Sequence, residues 1–351
     1  MNKVYVGLSG GVDSSVSAAL LKQRGYEVIG VYMKNWTKDL PGMPCPWKED
    51  FQDAKRVAVQ LGIDFKVYDF QKQYRHKVVD YMLEEFKAGR TPNPDIMCNQ
   101  EIKFKLFLQA ALDNGADFIA TGHYANVKNG HLLMAKDGNK DQTYFLHRVS
   151  SEALQRTIFP LGGYTKPEVR QLAKKFKLAT ADKKDSMGIC FVGKVGIKEF
   201  LEQYIEKKSG PIIDQKGRLV GHHDGALFYT IGQRRGLAVG GGLPYYVVGK
   251  DMAKNEIYVT TDLQDEKLWS RKIKLAAVHW INNYPLPTTR YPLFVRTRHR
   301  AKLIPVKILN KLSNFELAAE LTEEARALTP GQSAVFYSSG VECLGGGIVT
   351  A

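Results

Sequence analysis

One heptapeptide constrains this chain more than any other feature. Ser9-Gly10-Gly11-Val12-Asp13-Ser14-Ser15 stands between an apolar run that predicts a strand, Val4–Leu8, and a run that predicts a helix, Ser14–Arg24. Two glycines let the backbone turn sharply and turn its N–H groups toward an anion. Ser14 and Ser15 add hydroxyl donors, and a helix N-terminus adds roughly half a positive charge. Asp13 would repel a bare phosphate, so it fits a loop in which Mg²⁺ lies between its carboxylate and phosphate oxygens. The pattern is neither GxxxxGK[ST] nor GxGxxG. Its bland alternative is a serine-capped turn between a strand and a helix.

Beyond the loop the chain repeats this strand–helix alternation. Strands are expected at Glu27–Met33, Phe65–Phe70 and Phe118–Thr121, and helices at Asp50–Leu61, Tyr74–Lys87 and Ile102–Leu112. That order belongs to a parallel α/β sheet. Met33 falls at the carboxyl edge, where such sheets bind nucleotides. Beyond about residue 203 the texture becomes all-β. Hairpins are expected at Pro211–Val220, turning at Lys216-Gly217, and at Tyr245–Val259, turning at Lys254-Asn255. Short strands bounded by Pro, Gly and Asn then run to Val349 and suggest a small antiparallel barrel or sandwich. The expected architecture is a parallel-sheet domain over 1–203, a small central mostly-β domain over 204–268 and a C-terminal antiparallel β-barrel over 269–351. No apolar run is long enough to span a bilayer, and the start lacks a signal-peptide or transit-peptide pattern. A cytoplasmic protein without a membrane partner is expected.

Of four cysteines, two have unusual surroundings. Cys98 closes Thr91-Pro92-Asn93-Pro94-Asp95-Ile96-Met97-Cys98, a Pro-stiffened loop, and is expected at the start of the next helix. That position, with Lys103 and Lys105 nearby, would favour its thiolate. Asp95, three residues earlier, is a candidate acid–base group. Cys190 lies in Asp185-Ser186-Met187-Gly188-Ile189-Cys190-Phe191, with Lys183 and Lys184 expected to make the approach electropositive. Either cysteine alone would read as a small buried hydrophobe. Cys45, beside the Pro-rich Thr37–Trp47 loop, and Cys343 are read as structural.

The heptapeptide resembles the PP-loop of ATP pyrophosphatases, and the chain as a whole resembles the tRNA 2-thiouridylase family. The resemblance rests on Gly7–Ser14, Met33-Lys34-Asn35-Trp36, Thr91–Asn99, Thr121-Gly122-His123-Tyr124, Lys140–Leu146, Asp185–Phe191 and Thr230-Ile231-Gly232-Gln233-Arg234. Met187 departs from the small polar residue more usual there. The resemblance implies an ATP-dependent sulfurtransferase that adenylates O2 of the wobble uridine and replaces that oxygen with persulfide sulfur. By position, Cys190 matches the persulfide carrier and Cys98 the nucleophile. They would end as a Cys98–Cys190 disulfide. Asp95 matches the acid–base residue, and Asn93, Pro94 and Asp95 the segment holding the extruded base. Gly7, Leu8, Ser9, Gly10, Gly11, Val12, Asp13, Ser14, Met33 and Gly122 match ATP-binding positions. Mg²⁺ would enter with ATP at Asp13, and no tightly bound metal is expected. His123, Lys140, Asp141, Gln142, Arg298, His299 and Gln332 match tRNA contacts. The implied partners are tRNA, through its anticodon loop, and a sulfur-donor protein of the desulfurase or relay type. By themselves His123 reads as a structural histidine, Lys140–Gln142 as a polar turn before a strand-like Tyr144-Phe145-Leu146, and Pro330-Gly331-Gln332 as a turn.

The chain carries 50 Lys+Arg against 36 Asp+Glu. From Arg271 to Lys311 there are ten basic residues and no acid, which reads as a phosphate-tracking surface. Arg296, Arg298 and Arg300 alternate and are expected on one side of a strand. Three other readings remain open from the residues alone. One is an ATP pyrophosphatase that does not use its cysteines. Another is an RNA-binding or sulfur-relay protein with an inactive nucleotide site. The third is an iron–sulfur site at Asp95, Cys98 and Cys190.

Overall fold

The first strand, β1 (Lys3–Gly7), is buried along Val4–Gly7, and that decides its place. A strand with no polar face has to be covered on both sides, as in a parallel sheet wrapped by helices. The computed structural model describes every residue except 40–44, 185–195, 238, 241, 283–291, 314, 339–340 and 351. In it β1 is the middle strand of a five-stranded parallel sheet. β2 (Glu27–Lys34) and β3 (Asp64–Asp69) lie to one side, and β4 (Phe118–Ala120) to the other. A hairpin of β5 (Asn126–Lys128) and β6 (His131–Leu133) leaves the sheet before its last strand, β7 (Thr157–Ile158). The order is β3-β2-β1-β4-β7.

Successive β1 side chains face opposite ways. Val4 and Val6 pack with Ala18 and Leu21 of α1 (Val12–Gln23) and Ala54 and Ala58 of α2 (Trp47–Leu61). Tyr5 packs on the other face with Phe104, Phe107 and Ala111. The chain passes from β1 outward to β3 and then returns to β4 across β1. The strand order therefore reverses between β1 and β4, where open α/β sheets bind ligands at their carboxyl ends.

Two helices differ from their expected extents. Gln71–Tyr74, Arg75–Asp80 and Tyr81–Lys87 form one run with π bonding in its middle. Pro94–Met97, Cys98–Phe107 and Leu108–Asp113 form another, π-bonded from Cys98 to Phe107. The second starts four residues before Cys98, because Pro94 stands at the first helical position and Asn93 caps it, accepting from Asp95 N at 3.1 Å. Tyr144-Phe145-Leu146, expected as a strand, belongs to a short helix, Thr143–Leu146. Its buried Tyr144 hydroxyl donates to Ser333 O at 2.9 Å, a tertiary contact that overrides local β preference.

The central domain holds β8 (Gly210–Asp214), β9 (Leu219–His223), β10 (Tyr246–Asp251) and β11 (Glu256–Thr260) in the order β10-β11-β8-β9. Both expected hairpins are present, with Gly217 (φ 76°) and Asn255 (φ 55°) in their turns. The C-terminal strands are β12 (Trp269–Trp280), β13 (Leu293–Arg296), β14 (Ile304–Ser313), β15 (Glu316–Arg326), β16 (Ser333–Ser338) and β17 (Glu342–Val349). They pair in the order β12-β15-β14-β13-β16-β17, and β17 returns to β12, which closes an antiparallel barrel. No described helix is long and apolar enough to cross a membrane.

Among the contacts that join the barrel to the first domain, a strand pairing and a buried ion pair stand out. β6 pairs with β17, setting Leu132 opposite Cys343. Arg296 donates to Asp141 at 3.1 Å, with the two side chains 8% and 0% exposed. Asp141 also accepts from Ala135 N and Thr143 Oγ1. These facts correct the expected basic surface. Arg296 is buried, Arg298 is half-buried, and Arg300 lies past the strand end with φ 64°. The acid-free run also gains acids in space. Strand β15 lies between β12 and β14, so Glu320 stands opposite both Lys272 and Lys307.

Arg296→Met leaves the Asp141 carboxylate buried without its counter-ion. Urea unfolding is expected to show a loss of about 3–5 kcal/mol. Burial also pushes His147 down to about 3. The unfolded chain takes up this proton below its ordinary value near 6.5, and the folded chain only near 3. Stability is therefore intact above the ordinary value and falls as pH drops, by about 1.4 kcal/mol per pH unit from this residue. Urea midpoints for wild type and His147→Gln, compared at neutral and mildly acidic pH, measure that term.

Candidate active site

The turn after β1 is built to leave N–H groups open. Gly11 is the N-cap of α1 and offers no side chain to fill the cap. Ser14 and Ser15 direct their hydroxyls to Gly11 O at 3.1 and 2.8 Å, and Ser9 N lies 3.2 Å from Ser14 Oγ. Gly10 has φ 76° and abuts the backbone of Asp50 at the start of α2, so no side chain fits there. Leu8 is anchored by its N–H to Val31 O at 2.8 Å. Met33 folds its methyl over Gly7, within 2.9 Å of where a Cβ would stand, and Val12 is buried behind the turn.

Gly122 follows β4, two residues past its end at Ala120, on the far side of the switch point. A Cβ there would come within 2.7 Å of Ser14 N and 2.9 Å of Asp13 C. The two turns thus touch through backbone alone. Beside them, the Asp13 carboxylate is held by Lys166 Nζ at 2.8 Å to each oxygen and by Tyr124 OH at 2.9 Å. Neither partner was given a role from sequence, although Tyr124 closes the Thr121–Tyr124 motif. A signal for Lys166 exists, because it is the first residue of the helix Lys166–Lys175, capped by Thr165 and Glu168. A cation at that end opposes the helix dipole unless an anion faces it.

Among the described residues, no group of three or more His, Cys, Asp or Glu could hold a metal ion. One carboxylate beside open N–H groups fits a Mg²⁺ that shares its coordination with nucleotide phosphates.

The helix bearing Cys98 runs alongside, and its Phe107 lies 3.7 Å from the Cβ position of Gly7. Cys98 is 2% exposed and sits in the second turn, so the helix end expected to activate its thiol is one turn away. Lys105 is paired with Glu101 at 3.1 Å, as is Lys77 at 2.9 Å. Burial raises the Glu101 pKa, but hydrogen bonds from the two lysines outweigh it and leave it lowered. Asp95 keeps the i, i+3 spacing that puts it on the Cys98 face of the helix. Asn99 Nδ2 donates to Phe145 O at 3.0 Å. Cys190 and its expected pairing with Cys98 lie outside the described residues. Lys183, expected to make that approach electropositive, is neutralised by Asp50 and Asp53 at 2.8 and 2.6 Å.

The residues matched to tRNA contacts are mostly inward-facing. His123 is 9% exposed between Phe104 and Phe159, and its Nδ1 lies 2.8 Å from Thr121 Oγ1. Burial, aided by Lys103, pushes its pKa well below the ordinary value, so it stays neutral. Asp141 is buried, and Gln142 Oε1 accepts from Tyr124 N at 2.9 Å. Lys140 is partly exposed beside Asp137. The His299 ring lies tilted against Phe145 with centroids 4.5 Å apart, and burial pushes its pKa down to about 4. Arg298 and Gln332 donate to protein carbonyls.

Three family models match the chain. A tRNA methyl transferase HUP domain covers residues 2–194, a tRNA methyl transferase PRC-barrel domain 198–261, and an aminomethyltransferase beta-barrel domain 270–349. Proteins named tRNA-specific 2-thiouridylase MnmA are similar along the whole length. That of Enterococcus faecalis is 47% identical over 356 residues, covering 99% of this chain and 95% of its own. Those of Pediococcus pentosaceus and Streptococcus thermophilus are each 46% identical with the same coverage.

Lys166→Met removes the charge beside Asp13, from a pair whose side chains are 13% and 32% exposed. Mg²⁺–ATP affinity by titration calorimetry is expected to fall about tenfold to a hundredfold, with the urea midpoint nearly unchanged. Unchanged affinity would separate Lys166 from the nucleotide.

Proposed function

The chain belongs to the tRNA-specific 2-thiouridylase family, and from that premise we propose that it uses ATP to put sulfur at C2 of the wobble uridine of tRNA. The observation that carries this reading is the backbone contact between the Ser9–Ser14 turn and Gly122, with the Cys98 helix packed alongside through Phe107. The open N–H groups of α1 and the nearby serine hydroxyls bind the phosphates. Asp13 would hold Mg²⁺, which when bound offsets negative charge on the phosphates. Lys166, turned from Asp13, adds positive charge to the same place.

Asn93, Pro94 and Asp95 hold the extruded uracil. Its O2 attacks the α-phosphorus of ATP, and pyrophosphate leaves with the electron pair. The N3 proton is lost in this step, and Asp95 is the group that takes it and later returns it. The terminal sulfur of a Cys190 persulfide then adds to C2, and AMP leaves. The Cys98 thiolate attacks the Cys190 sulfur, the S–S bond to the transferred atom breaks, and its electron pair becomes part of the thiocarbonyl. A Cys98–Cys190 disulfide remains, and a thiol reductant must supply two electrons before the next turnover. A desulfurase or relay protein supplies the sulfur.

Two of the matching models are named for tRNA methyl transfer. Methyl transfer from a sulfonium donor needs neither a triphosphate cradle nor a pair of thiols, so it leaves Asp13 and Cys98 unexplained.

Incubation with ATP, Mg²⁺, a persulfide source and anticodon stem–loop RNA is expected to yield 2-thiouridine and AMP in equal amounts by nucleoside analysis. Cys98→Ser should reduce 2-thiouridine by about a thousandfold or more while ATP binding persists. Normal thiolation by a Cys98→Ser/Cys190→Ser double variant, or a methylated nucleoside formed with S-adenosylmethionine, would overturn the reading.

A further inference from the structure

Thr91 is where the segment leading to Asn93, Asp95 and Cys98 departs, and its backbone and side-chain polar groups are held from outside its own domain. Its N–H donates to Pro330 O at 2.8 Å. Its carbonyl accepts from Gln332 Nε2 at 2.8 Å. Its hydroxyl lies 3.2 Å from Thr230 Oγ1. The barrel thus grips the Thr91 backbone and the central domain its side chain. Thr91 is 8% exposed, so these partners stand where water otherwise would.

The grip is braced from behind. Gly331 has φ 93°, and a Cβ there would stand 2.7 Å from Thr91 N, so only glycine lets the barrel turn come this close. One nitrogen of Arg298, Nη2, shares its two hydrogens among Ile231 O at 3.1 Å, Ala327 O at 2.7 Å and Thr329 Oγ1 at 2.8 Å. It ties the turn carrying Thr230 to the segment carrying Pro330. Gly232, at φ 82°, comes equally close, with its Cβ position 2.5 Å from the Ala327 methyl carbon.

Pro92 and Pro94 transmit whatever is set at Thr91. Each ring fixes its φ, so the short link to the Asn93 cap has little freedom to absorb a shift. We propose that Gln332, Thr230 and Arg298 are positioning residues for sulfur transfer, clamping Thr91 so that Asn93, Asp95 and Cys98 stand where the reaction needs them. This rests on the role given to Cys98 under the proposed function. It differs from the sequence expectation in giving Gln332 and Arg298 a target inside the protein.

Gln332→Met keeps the length and loses the donor, and Thr230→Val keeps the shape and loses the hydroxyl. Each is expected to lower kcat for 2-thiouridine formation about tenfold or more, with KM for tRNA and its salt dependence within about twofold of wild type. Thr230→Ser, which retains the hydroxyl, should restore wild-type values. In RNA-free protein, alkylation of Cys98 read by peptide mass spectrometry should accelerate while that of the buried Cys343 does not. A raised KM with kcat and Cys98 labelling unchanged would make Gln332 an RNA contact and overturn the clamp. Equal acceleration at Cys343 would mean general loosening and overturn it too. Wild-type protein that installs no sulfur defeats the functional reading alone, and the labelling contrast still decides the clamp.

Discussion

The backbone contact between Gly122 and the Asp13–Ser14 peptide governs the first domain. It joins β1 and β4 at the point where the strand order reverses, leaving a crevice floored by main chain. Any side chain at residue 122 would push the turn away from α1, and with it Tyr124, whose hydroxyl holds Asp13. Lys166 arrives from a helix more than a hundred residues later and meets the same carboxylate. The charge at the Ser9–Ser14 turn is therefore set by three separate parts of the chain around one glycine.

The barrel is bound into this arrangement. Its strand β17 continues into the β5–β6 hairpin of the first domain, and the Arg296–Asp141 pair is sealed at the same junction. A buried pair of this kind is weak evidence for net stability, but removing one partner strands the other. Together with the hold on Thr91, these contacts tie the β-rich half of the chain to the loop that leads into the Cys98 helix. The central domain then acts on the same loop through Thr230. Residues that matched RNA contacts by position thus also have structural partners in the protein.

Much of the fold was legible because it rests on local periodicity. The strand–helix alternation, the Ser9–Ser14 turn, both central hairpins and the antiparallel barrel follow from apolar spacing and turn chemistry. The helix start was legible in part. Asn93-Pro94 is a cap followed by a first-turn proline, yet the pair of prolines looked like a loop, which moved Cys98 to the helix end in the sequence reading. The acids that come to lie beside the basic run were hidden for a different reason. Sequence shows what is adjacent along the chain, whereas a barrel sets β15 between β12 and β14 and brings Glu320 between Lys272 and Lys307.

The sequence by itself determined the Ser9–Ser14 turn, the parallel sheet that carries it and the Pro-stiffened approach to the segment bearing Asp95 and Cys98. Short-range backbone sterics and alternating hydrophobicity act over a few residues and leave their mark locally. Only the tertiary structure decided that Lys166 faces Asp13, that Arg296 is buried against Asp141, and that Thr91 is held by Pro330, Gln332 and Thr230. Those pairings join residues 139 to 241 positions apart, and depend on burial and hydrogen-bond geometry that exist only once the chain has folded and its domains have met.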